Sequence, residues 1–257
     1  MSRLVALLST AAVTAALLAA VPAAQAADLT VAEVRTLLAE AGPGRPANLS
    51  GKSLENLDLS RFDFRGANLA GADLYGAKLD GADFTGATLA GANLNLAWVM
   101  RANFTNADLS NASVQGLVTS YGLETSPAEG PRFPGANFAG ARIVARLARF
   151  DLHGANFAGA RMAADMKNQS MGLIRTDLSS ANLTGANFAG ADLGRALLRF
   201  ADLTGANLTG ASLAGADLAG ADLSGADLTG ADVTGADLEH VRLNGTKGME
   251  TVKGRKG

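Results

Sequence analysis

ADLAGADLSGADLTGADVTGADL, residues 216–238, repeats one five-residue pattern without interruption. Each unit runs Ala, Asp, an apolar centre, a small residue, then Gly. A period of five matches neither the strand period of two nor the helical period of 3.6. It describes a chain that turns a corner once per unit and stacks coil upon coil as a solenoid.

The register extends outward in both directions. Upstream, twelve consecutive units carry centres from Leu183 to Leu238, including Phe188, Leu203, Leu218 and Val233. An earlier block places a centre at every fifth residue from Leu49 to Val114. A middle block holds Phe138 and Ile143, slips by one residue, and continues through Leu147, Leu152, Phe157 and Met162. A second slip precedes Leu173, and the last block runs on to Leu243.

These units resemble the pentapeptide-repeat family, whose motif reads A(D/N)LXX. The resemblance implies an all-β solenoid, a right-handed quadrilateral β-helix with four repeats to a coil. It says little about function, because members differ in what they do. The residue types suit such a fold. Ala and the centre point into a narrow interior, where larger side chains would overpack. Gly eases the backbone at the corner. Asp, Asn, Ser and Thr point out, and their short side chains can satisfy turn amides locally. Centres twenty residues apart should stack: Phe64, Phe84 and Phe104 in one aromatic column, Phe138 and Phe157 in another. With the coils spaced at strand distance, nine coils would form a rod roughly 40 Å long.

Residues 1–26 read differently. Arg3 precedes an apolar stretch from Leu4 to about Val21, and Ala24-Gln25-Ala26 resembles a small-residue cleavage site. This is the pattern of a secretory signal peptide, giving a mature chain that starts at Ala27 and lies in the periplasm or outside the cell. No other segment is apolar enough to span a bilayer. There is no Cys, which excludes disulfides, thiol nucleophiles and thiolate metal sites.

Four further segments flank or interrupt the repeats. Residues 27–47 hold a short α-helix and linker, with Thr30 and Glu33 as a capping box and Val31, Val34, Leu37, Leu38 and Ala41 on one face. Such a helix would cap the open first coil, whose strand edges and apolar column need cover. The first repeat block covers 48–114. Residues 115–135 show no repeat and read as a long loop with Pro127, Pro131 and Pro134. The second block covers 136–243, and 244–257 read as a polar basic tail with the Gly content of a disordered segment. Just before the loop, Leu96, Trp98 and Met100 are apolar at outward positions. Either the loop covers them or they form a binding surface with it.

Charge is uneven along a chain of net −2. Residues 206–240 carry six acids and no base, with Asp202 over Asp222 and Asp217 over Asp237. Residues 131–175 are basic, with Arg142 stacked on Arg161 and Arg146 near Lys167. Trp98, Arg142, Arg146, Arg161 and Lys167 are therefore the candidate partner-binding residues, suited to an unknown protein or an anionic envelope component.

No catalytic, cofactor or metal site is expected. His153 and His240 lie in different blocks, and no nucleophile stands with either. The Asp columns lack the nonapeptide of calcium-binding β-helices. No phosphate loop or basic-aromatic nucleic-acid surface occurs. The expected role is an exported, non-enzymatic binding or structural scaffold. The resemblance also offers an alternative: some members imitate duplex DNA, bind DNA gyrase or topoisomerase IV and protect against quinolones. Those are cytoplasmic and typically dimerise through a C-terminal module. The leader and the basic tail depart from that pattern.

Overall fold

The computed structural model describes residues 27–42, 44–120, 122, 126–164 and 174–254. The leader read over 1–26, Lys167 and Leu173 lie outside the described residues. The described chain is a right-handed quadrilateral β-helix. Its outward residues pair in parallel with the residue one coil on, and these pairs run in four columns. Face 1 runs Asn48, Asn68, Thr88, Asp108, Asn137, Asn156, Asn187, Asn207, Asp227 and Lys247. Face 2 contains Ser53, Asp73, Asn93, Ser113, Arg142 and Arg161. Face 3 contains Lys78, Trp98, Val118, Arg146, Asp177 and Leu197. Face 4 contains Asp63, Asp83, Asn103, Arg132, Asp151 and Asn182. The two longest strands are β1 (Ser113–Gln115) and β2 (Arg142–Val144), paired in parallel.

Each unit satisfies its own backbone. Asn68 donates its amide to the Ala47 carbonyl below, and Leu69 donates to the Thr88 carbonyl above, at 2.9 and 2.7 Å. The corner closes when Ala72 donates to the Leu69 carbonyl at 3.0 Å. The outward Asp or Asn completes the turn: Asn68 Oδ1 accepts the Ala70 amide at 3.1 Å, and Asp227 Oδ1 accepts the Thr229 amide at 2.9 Å. This explains why short acceptors recur outside. On face 1 the amide side chains also bond between coils, from Asn207 through Asn187 and Asn156 to Asn137.

Centres and alanines fill the interior. Leu69, Leu74, Leu203 and Leu218 are all fully buried or nearly so, each worth roughly 1.5–3 kcal/mol of apolar burial. Phe64, Phe84 and Phe104 stack with centroids 4.8 Å apart, which is the strand spacing. Phe138, Phe157 and Phe188 form a second stack.

Two segments differ from the sequence expectation. The loop read over 115–135 is shorter. The fourth coil continues through Val118, which pairs with Trp98, and repeats resume at Arg132, which pairs with Asn103. Phe133 is a buried centre stacked on Phe104 at 5.0 Å and set edge-on to Phe138, so it joins the two aromatic columns. The tail read over 244–257 forms coil as far as Lys253. Arg242, Lys247 and Lys253 pair with Asp222, Asp227 and Asp232 one coil below. Opposite charges at strand spacing favour that register, which the Gly content had hidden.

At the other end, helix α1 (Val31–Ala39) carries the capping box, with Thr30 and Glu33 bonded reciprocally. Val34 is buried in the core, and Leu29, Leu37, Leu38 and Ala41 pack against it. Asp28 exchanges bonds with Ser53 at 2.8 and 2.9 Å, occupying part of the first strand edge. Arg35 lies over the Phe62 ring at 5.4 Å.

Candidate binding site: a cleft where two coils part

The fourth and fifth coils are joined on three faces. Ser113 pairs with Arg142 on face 2, Asn137 with Asn156 on face 1, and Phe133 donates to the Asp151 carbonyl on face 4 at 3.0 Å. On face 3 they separate. Val118 pairs inward with Trp98, and Arg146 pairs outward with Asp177, but the two do not pair with each other. The cause lies in chain length. The fifth coil steps only four residues from the centre Ile143 to the centre Leu147, whereas the fourth steps five from Val114 to Thr119. The shortened corner pulls Arg146 out of register. A cavity of about 1020 Å³ opens there, between Leu117–Ser120 on one side and Val144–Arg146 on the other, with Ile174, Arg175 and Leu197 along its rim. A smaller depression of about 350 Å³ adjoins it, lined by Arg175 and Arg195.

Thr176 anchors the far wall. It occupies the place that Ala takes in other units, and it is fully buried. Its hydroxyl lies 2.9 Å from the Ile143 carbonyl and 2.8 Å from the Met162 carbonyl. In regular units a centre's carbonyl accepts the amide three residues on, as Leu69 accepts from Ala72. The chain slips by one residue after Ile143, whose carbonyl receives no amide from Arg146, and the Thr176 hydroxyl supplies a donor there while lying equally close to the Met162 carbonyl.

The cleft carries positive charge. Among the described residues Arg146, Arg161 and Arg175 have no carboxylate within ion-pair distance, whereas Arg199 is paired with Asp217 at 3.3 Å and Arg242 with Asp222 at 3.3 Å. Of the five residues singled out from sequence, Arg142 and Arg161 are paired on face 2, as their spacing implied. Trp98 and Arg146 lie on face 3, on opposite sides of the parting, with Val118 next to Trp98. Arg146 pairs with Asp177 one coil above it. Lys167 itself is outside the described residues.

The apolar trio before the loop divides. Met100 is buried, and the returning loop bonds beside it, Arg101 donating to the Glu129 carbonyl at 2.8 Å. Leu96 and Trp98 stay 45% and 41% exposed, so the loop does not cover them. Ile174 and Phe200 are exposed as well. Leu96 and Phe200 hold φ of 58° and 56° at corners where most units place Gly, a conformation that disfavours bulky side chains. Ile174 and Leu197 were not singled out from the sequence, and Arg175 entered only as the end of the basic run over 131–175. The one available signal was an apolar Leu197 at a position otherwise held by Asp, Asn or Ser from Asp177 to Asp237.

The polar side chains elsewhere are engaged in structure. The Thr229 hydroxyl and amide hold the Asp227 carboxyl below the usual carboxylate range, and Lys247 adds to the effect. Thr234, with Lys253, does the same for Asp232. Among the described residues no group of His, Asp and Glu is arranged to hold a metal ion, and no helix is long and apolar enough to cross a membrane.

No curated protein matches the chain. Among solved structures, HetL from the cyanobacterium Nostoc, a pentapeptide repeat protein involved in regulating heterocyst differentiation, is 28% identical. The match covers 85% of this chain and 94% of HetL at a TM-score of 0.38. A trypsin-treated form of QnrB1, a plasmid-mediated fluoroquinolone resistance protein, is 23% identical over 78% of this chain and 88% of its own, at 0.32. A pentapeptide repeat protein from the thylakoid lumen of Arabidopsis thaliana is 27% identical over 52% and 81%, at 0.27. The family described as pentapeptide repeats matches in eight copies, over residues 47–86, 79–116, 176–213 and 206–245. Those stretches span more than half of the sequence, and with the pentad coils seen in the structure they place this chain in the pentapeptide-repeat family.

Proposed function

We propose that the protein is an exported, non-enzymatic binding scaffold whose middle coils take an anionic partner at the cell envelope. The observation that carries this reading is the face 3 cleft, where Arg146 and Arg175 line an opening and, among the described residues, no carboxylate is paired to either. Charges left uncompensated at an opening favour and steer an oppositely charged partner. Exposed Ile174 and half-buried Leu197 add apolar contact at its rim, and exposed Trp98 lies one coil below Val118. The repeats support a scaffold role, since their Asp and Asn side chains already hold turn amides. Export rests on the leader pattern of residues 1–26.

Retention of the purified chain on heparin and polyglutamate resins tests the binding half. Retention should be strong at low salt and fall steeply as ionic strength rises. Salt-independent retention, or none at low salt, would contradict the reading. Export is tested by N-terminal sequencing from native cells, where Ala27 is the expected first residue and an intact Met1 or Ser2 in the cytosol would overturn it.

A further inference from the structure

The parting on face 3 leaves strand edges open on both sides. In the regular ladder an outward residue donates its amide to the carbonyl one position before its counterpart below. It also accepts from the amide one position after that counterpart, as Asn68 does with Ala47 and Leu49. By that rule Arg146 would donate to the Leu117 carbonyl and accept from the Thr119 amide. Among the described residues neither bond forms, and nothing else takes those groups. The ladder below is intact, with Val99 donating to the Val118 carbonyl at 2.9 Å. So is the ladder above, with Leu147 donating to the Asp177 carbonyl at 2.7 Å. One rung of the ladder is missing there, leaving backbone donors and acceptors on each lip beside the cavity.

We propose that this gap binds an extended acidic peptide segment, added as a parallel strand between Val118 and Arg146. A central residue would donate to the Leu117 carbonyl and accept from the Thr119 amide. The residue before it would accept from the Arg146 amide, and the residue after it would donate to the Arg146 carbonyl. Strand addition of this kind draws affinity from main-chain bonds and specificity from alternate side chains. The central side chain points out, as Val118 and Arg146 do, toward Arg146 and Arg175; there an acidic residue fits. Its two neighbours point inward, in line with Leu117 and Thr119, where small apolar residues fit. The cavity of about 1020 Å³ lies in the range of ligand-binding clefts. The proposal rests on the function proposed above only for the sign of the partner's charge.

The test uses the full chain and the peptide acetyl-Glu-Val-Glu-Val-Glu-amide, beside the same peptide N-methylated at its central Glu. Methylation keeps every charge and removes the amide proton meant for Leu117. Amide exchange at Thr119 and Arg146 should be fast in the free chain and slow about tenfold or more with saturating peptide. The methylated peptide should bind about tenfold more weakly or worse. Equal binding of the two peptides would overturn strand addition while leaving charge-driven binding intact, and the resin assay reads that charge separately. Amides at Thr119 and Arg146 that are already protected in the free chain, or unchanged by peptide, would overturn it as well.

Discussion

Thr176→Val is the most direct probe of how the interrupted coils stay closed. Valine matches threonine in shape, so the substitution removes the hydroxyl and little else. That hydroxyl sits in a fully buried site, 2.9 Å from the Ile143 carbonyl, which lacks the turn donor of a regular unit, and 2.8 Å from the Met162 carbonyl. One proton serves one carbonyl at a time, so the loss lies between one and two bonds. A net bond is worth about 1 kcal/mol, and stranding a buried acceptor costs about 1–3 kcal/mol. The expected destabilisation is therefore about 2–3 kcal/mol. For a chain of this size that lowers the melting temperature by roughly 4–12 °C if unfolding is concerted. Solenoids can open locally, so thermal melts should be paired with amide exchange read at Leu147 and Leu178. Thr176→Ser keeps the donor and should lose clearly less. A Thr176→Val protein within about 0.5 kcal/mol of wild type, with unchanged exchange at those amides, would refute the role given to the hydroxyl.

Other outcomes follow from the same structure. Leu218→Asp places a charge in a fully buried column and should unfold the neighbouring coils, a loss above about 4 kcal/mol. Thr209→Asp, at an exposed position, should stay within about 0.5 kcal/mol in the same urea titration. Asp227 and Asp232 have folded pKa values below their unfolded ones. Their contribution is therefore present above the unfolded value of about 3.9 and lost as pH falls through the folded values. Urea midpoints should stay level from about pH 7 to pH 5 and drop below about pH 4. Asp227→Asn keeps the acceptor, as Asn207 does for Thr209 at 3.0 Å, and should reduce that acid sensitivity; an undiminished acid drop would remove Asp227 from the explanation.

The fold was legible because a pentad leaves the chain few alternatives. Ala, the centre and Gly state burial and corner in every unit, and stacked Phe64, Phe84 and Phe104 follow from spacing alone. Two segments escaped for specific reasons. Phe133 sits exactly one pentad before Phe138, but Pro131 and Pro134 replace the Ala and the small residue, so the unit read as loop. Lys253 lies 21 residues beyond Asp232 where the regular step is 20, and that extra residue hid the final coil. The candidate site was only half visible. The basic run and Trp98 stood out, yet the parting of two coils depends on how a four-residue corner meets a five-residue one. Nothing in either segment alone states that relation. Arg175 and Leu197 are brought to the rim by the step from Arg161 to Asp177, which sequence spacing cannot measure.

The central claim is that the middle coils, and not the basic residues of the last ones, take the anionic partner. Arg146→Glu/Arg175→Glu and Lys247→Glu/Lys253→Glu change net charge equally. The first pair lines the cleft, with Arg146 beside Asp177, and the second stands over Asp227 and Asp232. Retention of each variant on native envelope fractions at low salt, with folding checked by circular dichroism, compares them directly. The account predicts that reversal at the cleft abolishes retention and that reversal at the last coils leaves most of it. Equal loss in both folded variants, or loss confined to the Lys247/Lys253 pair, would contradict it.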